Sequence, residues 1–73
     1  MSRISRTILR LAAYELLYMP EIPRNVVINE AVELAKRYED ERAPAFVNGI
    51  LGSFVRAEFQ DTPPKPVKET VEE

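Results

Sequence analysis

Proline placement constrains this chain more than any other feature. Pro20 and Pro23 interrupt a helical pattern, Pro44 stands where another pattern begins, and Pro63, Pro64 and Pro66 fall together in one terminal stretch. Inside a helix a proline removes a backbone hydrogen bond and clashes with the preceding turn, yet it is well tolerated at the first helical position. The chain is therefore divided into pieces of helical length, and hydrophobic periodicity assigns a helix to each of three. From about Ser5 to Met19, the residues Ile8, Leu11, Ala12, Leu16 and Met19 share one side, with Ser5 as N-cap. From about Arg24 to Glu39, Val27, Ile28, Ala31, Val32, Leu34, Ala35 and Tyr38 form a broad apolar face opposite Asn29, Glu30, Glu33, Lys36 and Arg37. Glu33 and Arg37 stand in the favourable i,i+4 order for an ion pair.

The third helix is predicted to open at Pro44, with Val47, Ile50, Leu51, Phe54 and Val55 as its core stripe. Gly49 and Gly52 lie within it, and each costs about 1 kcal/mol against alanine. That cost predicts a neighbouring backbone or partner close to them. The last residues, QDTPPKPVKETVEE, combine three prolines with alternating charge and too little apolar surface to offset chain entropy. The expected architecture is an all-α three-helix bundle over residues 1–59, followed by a disordered tail over 60–73.

With 73 residues the chain makes one domain, burying only about 60% of the surface its unfolded form exposes. It has neither cysteine nor histidine. Disulfides, structural zinc, Cys–His pairs, Ser–His–Asp triads and histidine bases are all excluded. Carboxylate or lysine chemistry is what remains, and three packed helices leave little room for a pocket of several hundred Å³. The acidic pairs Glu30/Glu33 and Asp40/Glu41 fall short of the six or more oxygens that calcium takes, and a solvated face accounts for them. The expectation is a binding protein with no catalytic residues, metal or cofactor. Met1–Arg10 lacks the apolar run of a secretory signal, and no segment approaches the ~20 apolar residues of a membrane span, so a cytoplasmic, membrane-free setting is expected.

Charge is distributed unevenly. Residues 1–24 carry four arginines against two glutamates, whereas residues 25–59 carry four basic against six acidic side chains. Arg3, Arg6 and Arg10 follow an i, i+3, i+7 spacing and share a face if the first helix starts early enough, with Tyr14 one turn further on. A solvated helix face accounts for such a stripe. So does a nucleic-acid backbone, because guanidinium groups pair with phosphates and a tyrosine ring stacks on an unpaired base. Glu15 falls in the middle of the apolar face, where its carboxylate needs backbone N–H groups or an arginine as partners. Phe46, flanking the third stripe, fits peripheral core; alternatively, Phe46 and Asn48 present a ring and an amide near a helix N-terminus that favours phosphate.

The segments ILRLAAYELLY (Ile8–Tyr18), IPRNVVINEAVELAKRY (Ile22–Tyr38) and AFVNGIL (Ala45–Leu51), in this order and spacing, resemble the C-terminal subdomain of the transcription antitermination factor NusB, over about Ile4 to Phe54. The resemblance implies an all-α fold. It also implies binding of boxA RNA in ribosomal RNA leader transcripts together with NusE, a small-subunit ribosomal protein, within the transcription elongation complex. In that family the start of the last helix lies beside the RNA, which nominates Phe46 and Asn48. Arg42 stands in the turn before it, where the family often has an acidic residue, and a cation there favours phosphate further. The candidate RNA-binding set is thus Arg3, Arg6, Arg10, Arg42, Phe46 and Asn48.

The arginine-rich first half of NusB has no counterpart in this sequence. A separately encoded N-terminal half, or self-association, is therefore expected to cover the surfaces left bare. Two other readings stay open. One is a protein-interaction fragment that never touches RNA. The other is an RNA-docking domain like that at the front of certain ribosomal RNA cytosine methyltransferases, which VVINEAVELAK and FVNG fit less well than they fit NusB.

Overall fold

The computed structural model describes residues 1–59, and the tail expected at 60–73 lies outside the described residues. It consists of three helices in sequence, α1 (Arg3–Tyr18), α2 (Arg24–Tyr38) and α3 (Ala43–Phe59), each packed against the other two.

Helix α1 starts earlier than the sequence pattern indicates. Ser2, and not Ser5, is the N-cap: its Oγ accepts a hydrogen bond from the Ser5 N–H at 3.0 Å. Both serines are competent caps, but the earlier start adds most of a turn and sets the small Ser5 side chain into the core one turn before Ile8. The Ser2 hydroxyl also donates to the Glu39 carboxylate just beyond α2, fastening the head of α1 to the foot of α2. Met19 closes α1 through its N–H to the Glu15 carbonyl, and Pro20 ends the pattern as expected.

Pro23 serves α2 as an N-cap without a capping side chain, its carbonyl accepting from the N–H groups of Val26 and Val27. At the other end Lys36 and Arg37 sit in the last turn, favourably placed toward the negative pole of the helix dipole. The Glu33 carboxylate pairs with Lys36 at 3.2 Å, three residues on, and not with Arg37. Both spacings lie within reach on a helix. Helix α3 begins at Ala43, one residue before the expected Pro44, because Asp40 Oδ1 accepts from the N–H groups of Arg42 and Ala43 at 3.0 and 3.2 Å. Proline is tolerated in this first turn, where the N–H groups have no helical partner.

The core is three rows spaced four residues apart: Ile8, Ala12 and Leu16 on α1; Val27, Ala31 and Ala35 on α2; and Ala43, Val47, Leu51 and Val55 on α3. Such i±4 rows are the ridges by which helices interlock, and the alanines of α2 let its neighbours approach closely. These rows are narrower than the predicted stripes. Leu11, Tyr38 and Ile50 are exposed and Met19 is half-buried, because two neighbours cover only a limited arc of each helix. A ring of half-buried side chains, among them Ile28, Leu34 and Phe54, borders the core. The Arg24 guanidinium lies 3.9 Å over the Phe59 ring, joining the start of α2 to the end of α3.

No backbone approaches the two glycines of α3. A Cβ at Gly49 would meet nothing within 4 Å, and one at Gly52 would touch only Arg56 Nη1 at 3.7 Å. The expected close neighbour is absent among the described residues, so both positions retain only the entropic cost of glycine. Gly49→Ala should therefore stabilise the bundle by about 1 kcal/mol. Leu51→Ala, in a fully buried position, should destabilise it by about 2–5 kcal/mol. Urea denaturation followed by circular dichroism measures both; a destabilised Gly49→Ala variant would contradict the open surroundings of that position.

Candidate nucleic-acid interface

The helix packing brings the starts of α1 and α3 together. Ser2 and Ser5 from the head of α1, the Glu39–Asp40 turn, Arg42 and Phe46 line one depression of about 240 Å³ between the two N-termini. Neither helix carries an acidic residue in its first turn, which leaves their positive poles uncompensated from within. Two carboxylates do stand nearby, each already engaged: Glu39 accepts from the Ser2 hydroxyl, and Asp40 accepts from the backbone ahead of α3.

From this depression a second groove, of about 300 Å³, runs down between α1 and α3. Arg6, Leu9, Arg10 and Ala13 form one wall; Ile50, Leu51 and Phe54 form the other. Phe46, Ile50 and Phe54 are four residues apart and share one flank of α3, so exposed Phe46 heads a row of large apolar side chains facing two arginines. Arg3 continues the arginine stripe at the head of α1, where the early helix start puts Arg3, Arg6 and Arg10 on one solvent-facing side. A strip of cations beside aromatic and aliphatic surface suits a single-stranded nucleic acid: guanidinium groups meet phosphates and rings meet unpaired bases.

Asn48 lies elsewhere. At two positions beyond Phe46 it is turned by about 200° around the helix, and it lines the groove between α2 and α3 with Asn25, Asn29 and Arg56. That groove measures about 520 Å³, larger than the sequence led one to expect, but it is an open trough and not an enclosed pocket. The six residues singled out in the sequence thus separate: Arg3, Arg6, Arg10, Arg42 and Phe46 belong to the α1–α3 side, and Asn48 to the other flank of α3. Ile50 and Phe54 were assigned to the core by their spacing, and only the packing reveals them as a wall of the basic groove. Glu15 does not find the partners it was expected to need. Half-buried against Val27, Ala31 and Leu34, its carboxylate makes no hydrogen bond or ion pair among the described residues.

Among the described residues no group of three or more acidic side chains could hold a metal, and no helix is long and apolar enough to cross a membrane.

Residues 1–56 match the model of the NusB family. Curated relatives carry the name transcription antitermination protein NusB. The one from Clostridium novyi is 51% identical over 57 residues, covering 78% of this chain and 43% of its own length. That from Lysinibacillus sphaericus is 57% identical over 56 residues, 77% of this chain and 44% of its own. The Sorangium cellulosum protein is 59% identical over 51 residues, 70% and 36% respectively. The chain therefore spans less than half the length of these relatives. No solved structure matches it.

The geometry at the head of α3 makes its own prediction. Asp40→Ala, which removes the acceptor for two N–H groups, should cost about 1 kcal/mol, whereas Asp40→Asn keeps an acceptor oxygen and should cost only a few tenths. Paired urea titrations decide it; equal losses would show that charge and not capping matters there.

Proposed function

The chain belongs to the NusB family, and on that premise we propose that it is an RNA-binding transcription antitermination factor, holding boxA-type RNA of ribosomal RNA transcripts together with NusE in the transcription elongation complex. What carries this reading is the α1–α3 face, where Arg6 and Arg10 stand across a groove from Ile50 and Phe54, and where Phe46 and Arg42 border the head of the same two helices. The relatives' names supply the process, transcription antitermination. The side chains supply a mode of binding: Arg3, Arg6, Arg10 and Arg42 take phosphates, Phe46 stacks on a splayed base, and the groove floor shields the stack from water. No step of this requires catalysis, a metal or a cofactor. Asn48 joins the contact where the strand passes over the first turns of α3 to its other flank.

Fluorescence anisotropy with a labelled boxA oligonucleotide, with and without NusE, tests the proposal. Affinity should fall steeply with salt, and each of Arg6→Ala and Arg10→Ala should reduce the slope of log affinity against log salt by about 0.7, the value for a single-strand phosphate contact. Phe46→Ala should cost about 1–3 kcal/mol of binding through lost stacking. A loss from Asn48→Ala as large as that from Phe46→Ala means that the strand crosses α3; no loss confines it to the α1–α3 side. Equal affinity for a scrambled oligonucleotide, in both the presence and the absence of NusE, would sink the claim of boxA recognition.

A further inference from the structure

We propose that Asn48 is a spontaneous modification site, an Asn–Gly step that is shielded from deamidation while α3 is wound and reacts when the bundle opens. Of Asn25, Asn29 and Asn48, only Asn48 precedes a glycine; the others are followed by Val26 and Glu30. The chemistry needs no enzyme. The backbone nitrogen of Gly49 attacks Asn48 Cγ, the bond from Cγ to Nδ2 breaks, and Nδ2 leaves as ammonia with the proton that Gly49 gives up. A five-membered succinimide results. Water then opens it at one of its carbonyls: cleavage at Cγ yields aspartate, and cleavage at the former main-chain carbonyl yields isoaspartate, whose chain continues through Cγ. Glycine permits the attack, because a Cβ on that residue would crowd the nitrogen and restrict its backbone.

Asn48 and Gly49 are both exposed, and the Asn48 carboxamide makes no hydrogen bond among the described residues. A Cβ at Gly49 would meet nothing within 4 Å. The helix itself is therefore the shield. Helical ψ, about −42°, holds the Gly49 nitrogen away from Cγ, and its N–H points to the carbonyl four residues earlier. Val47 and Leu51, on either side, are 0% and 1% exposed, so this turn cannot unwind without drawing core side chains out. Reaction thus follows opening of the bundle. Four of the ten buried apolar residues are alanines, and α3 carries Gly49 and Gly52 at a cost in helix propensity. A core of this size leaves roughly one molecule in 10² to 10⁴ open.

Return is then blocked for one product. Isoaspartate lengthens the backbone by a methylene between Val47 and Leu51, which share a core row only while the i to i+4 spacing of a helix is kept. The aspartate form keeps that spacing and refolds. Deamidation is a one-way exit for chains that spend time open, and whatever binds the folded form alone slows it. This holds whatever the α1–α3 face binds.

Prolonged incubation of the full chain at neutral pH, sampled by intact mass and peptide mapping, should show deamidation confined to Asn48. Leu51→Ala should accelerate it at least about tenfold, toward the rate in urea, because the reaction tracks the open population when reclosing outpaces chemistry. Gly52→Ala leaves the Asn–Gly step intact, and its Cβ makes only an ordinary contact with Arg56 at 3.7 Å. By strengthening the helix alone it should slow the reaction about fivefold. The isoaspartyl chain, separated from the aspartyl one, should stay without a helical circular dichroism spectrum after urea is removed, whereas Asn48→Asp should fold. Absence of reaction at Asn48 in urea overturns the site. A rate that either Leu51→Ala or Gly52→Ala leaves unchanged overturns the shielding, and an isoaspartyl chain that regains the helical spectrum overturns the one-way exit.

Discussion

Everything in this bundle depends on one packing device, the row Val27, Ala31 and Ala35 of α2. Two alanines in succession on the buried side lower the ridge of α2, so that the valine and leucine row of α3 and the Ile8–Ala12–Leu16 row of α1 both come close to its backbone. Larger side chains there would separate the helices, and the heads of α1 and α3 would no longer meet beside the Glu39–Asp40 turn. The candidate binding face follows from this approach. Arg6 and Arg10 come opposite Ile50 and Phe54 only because α1 and α3 are held at the distance the small α2 row permits.

The elements themselves were legible because their signals are local. Pro20, Pro23 and Pro44 bracket the helices, and the periodicity of each segment points its core row inward. Boundaries were less so, since capping is a competition: Ser2 and Ser5 are chemically equal candidates, and the winner is decided by whether residue 5 can be buried. The width of the apolar stripes misled for a physical reason. Periodicity reports which side chains are apolar, and a helix with two short neighbours buries only part of what it offers. Leu11, Tyr38 and Ile50 are the surplus.

The candidate binding residues divide in the same way. The arginine stripe of α1 is a one-helix property, readable from the i, i+3, i+7 spacing once the helix starts at Arg3. Its apolar counterpart is a two-helix property. Ile50 and Phe54 become the far wall of a groove only when α3 lies beside α1, and no spacing within either segment carries that information. Proximity in sequence was likewise a poor guide for Phe46 and Asn48, because two residues along a helix turn a side chain by about 200°. The glycines illustrate the converse, a cost visible in sequence without a cause visible in the described bundle.

Helix α1 thus presents three sides: one to the core, one with arginines to the groove, and one on which Ile4, Leu11, Tyr14 and Tyr18 are exposed. Such a helix is a poor investment for a bundle standing alone. Four of its ten buried apolar residues are alanines, and no aromatic ring is fully buried, so the hydrophobic contribution to stability is small for the chain it must order. Under those conditions whatever binds the folded form but not the unfolded one becomes part of the fold's stability. A ligand at a hundred times its dissociation constant adds about 2.7 kcal/mol, a sizeable share of the few kcal/mol a core of this size supplies. The exposed side of α1 is therefore not separable from its folding: a ligand held on the arginine side would stabilise the same three-helix arrangement.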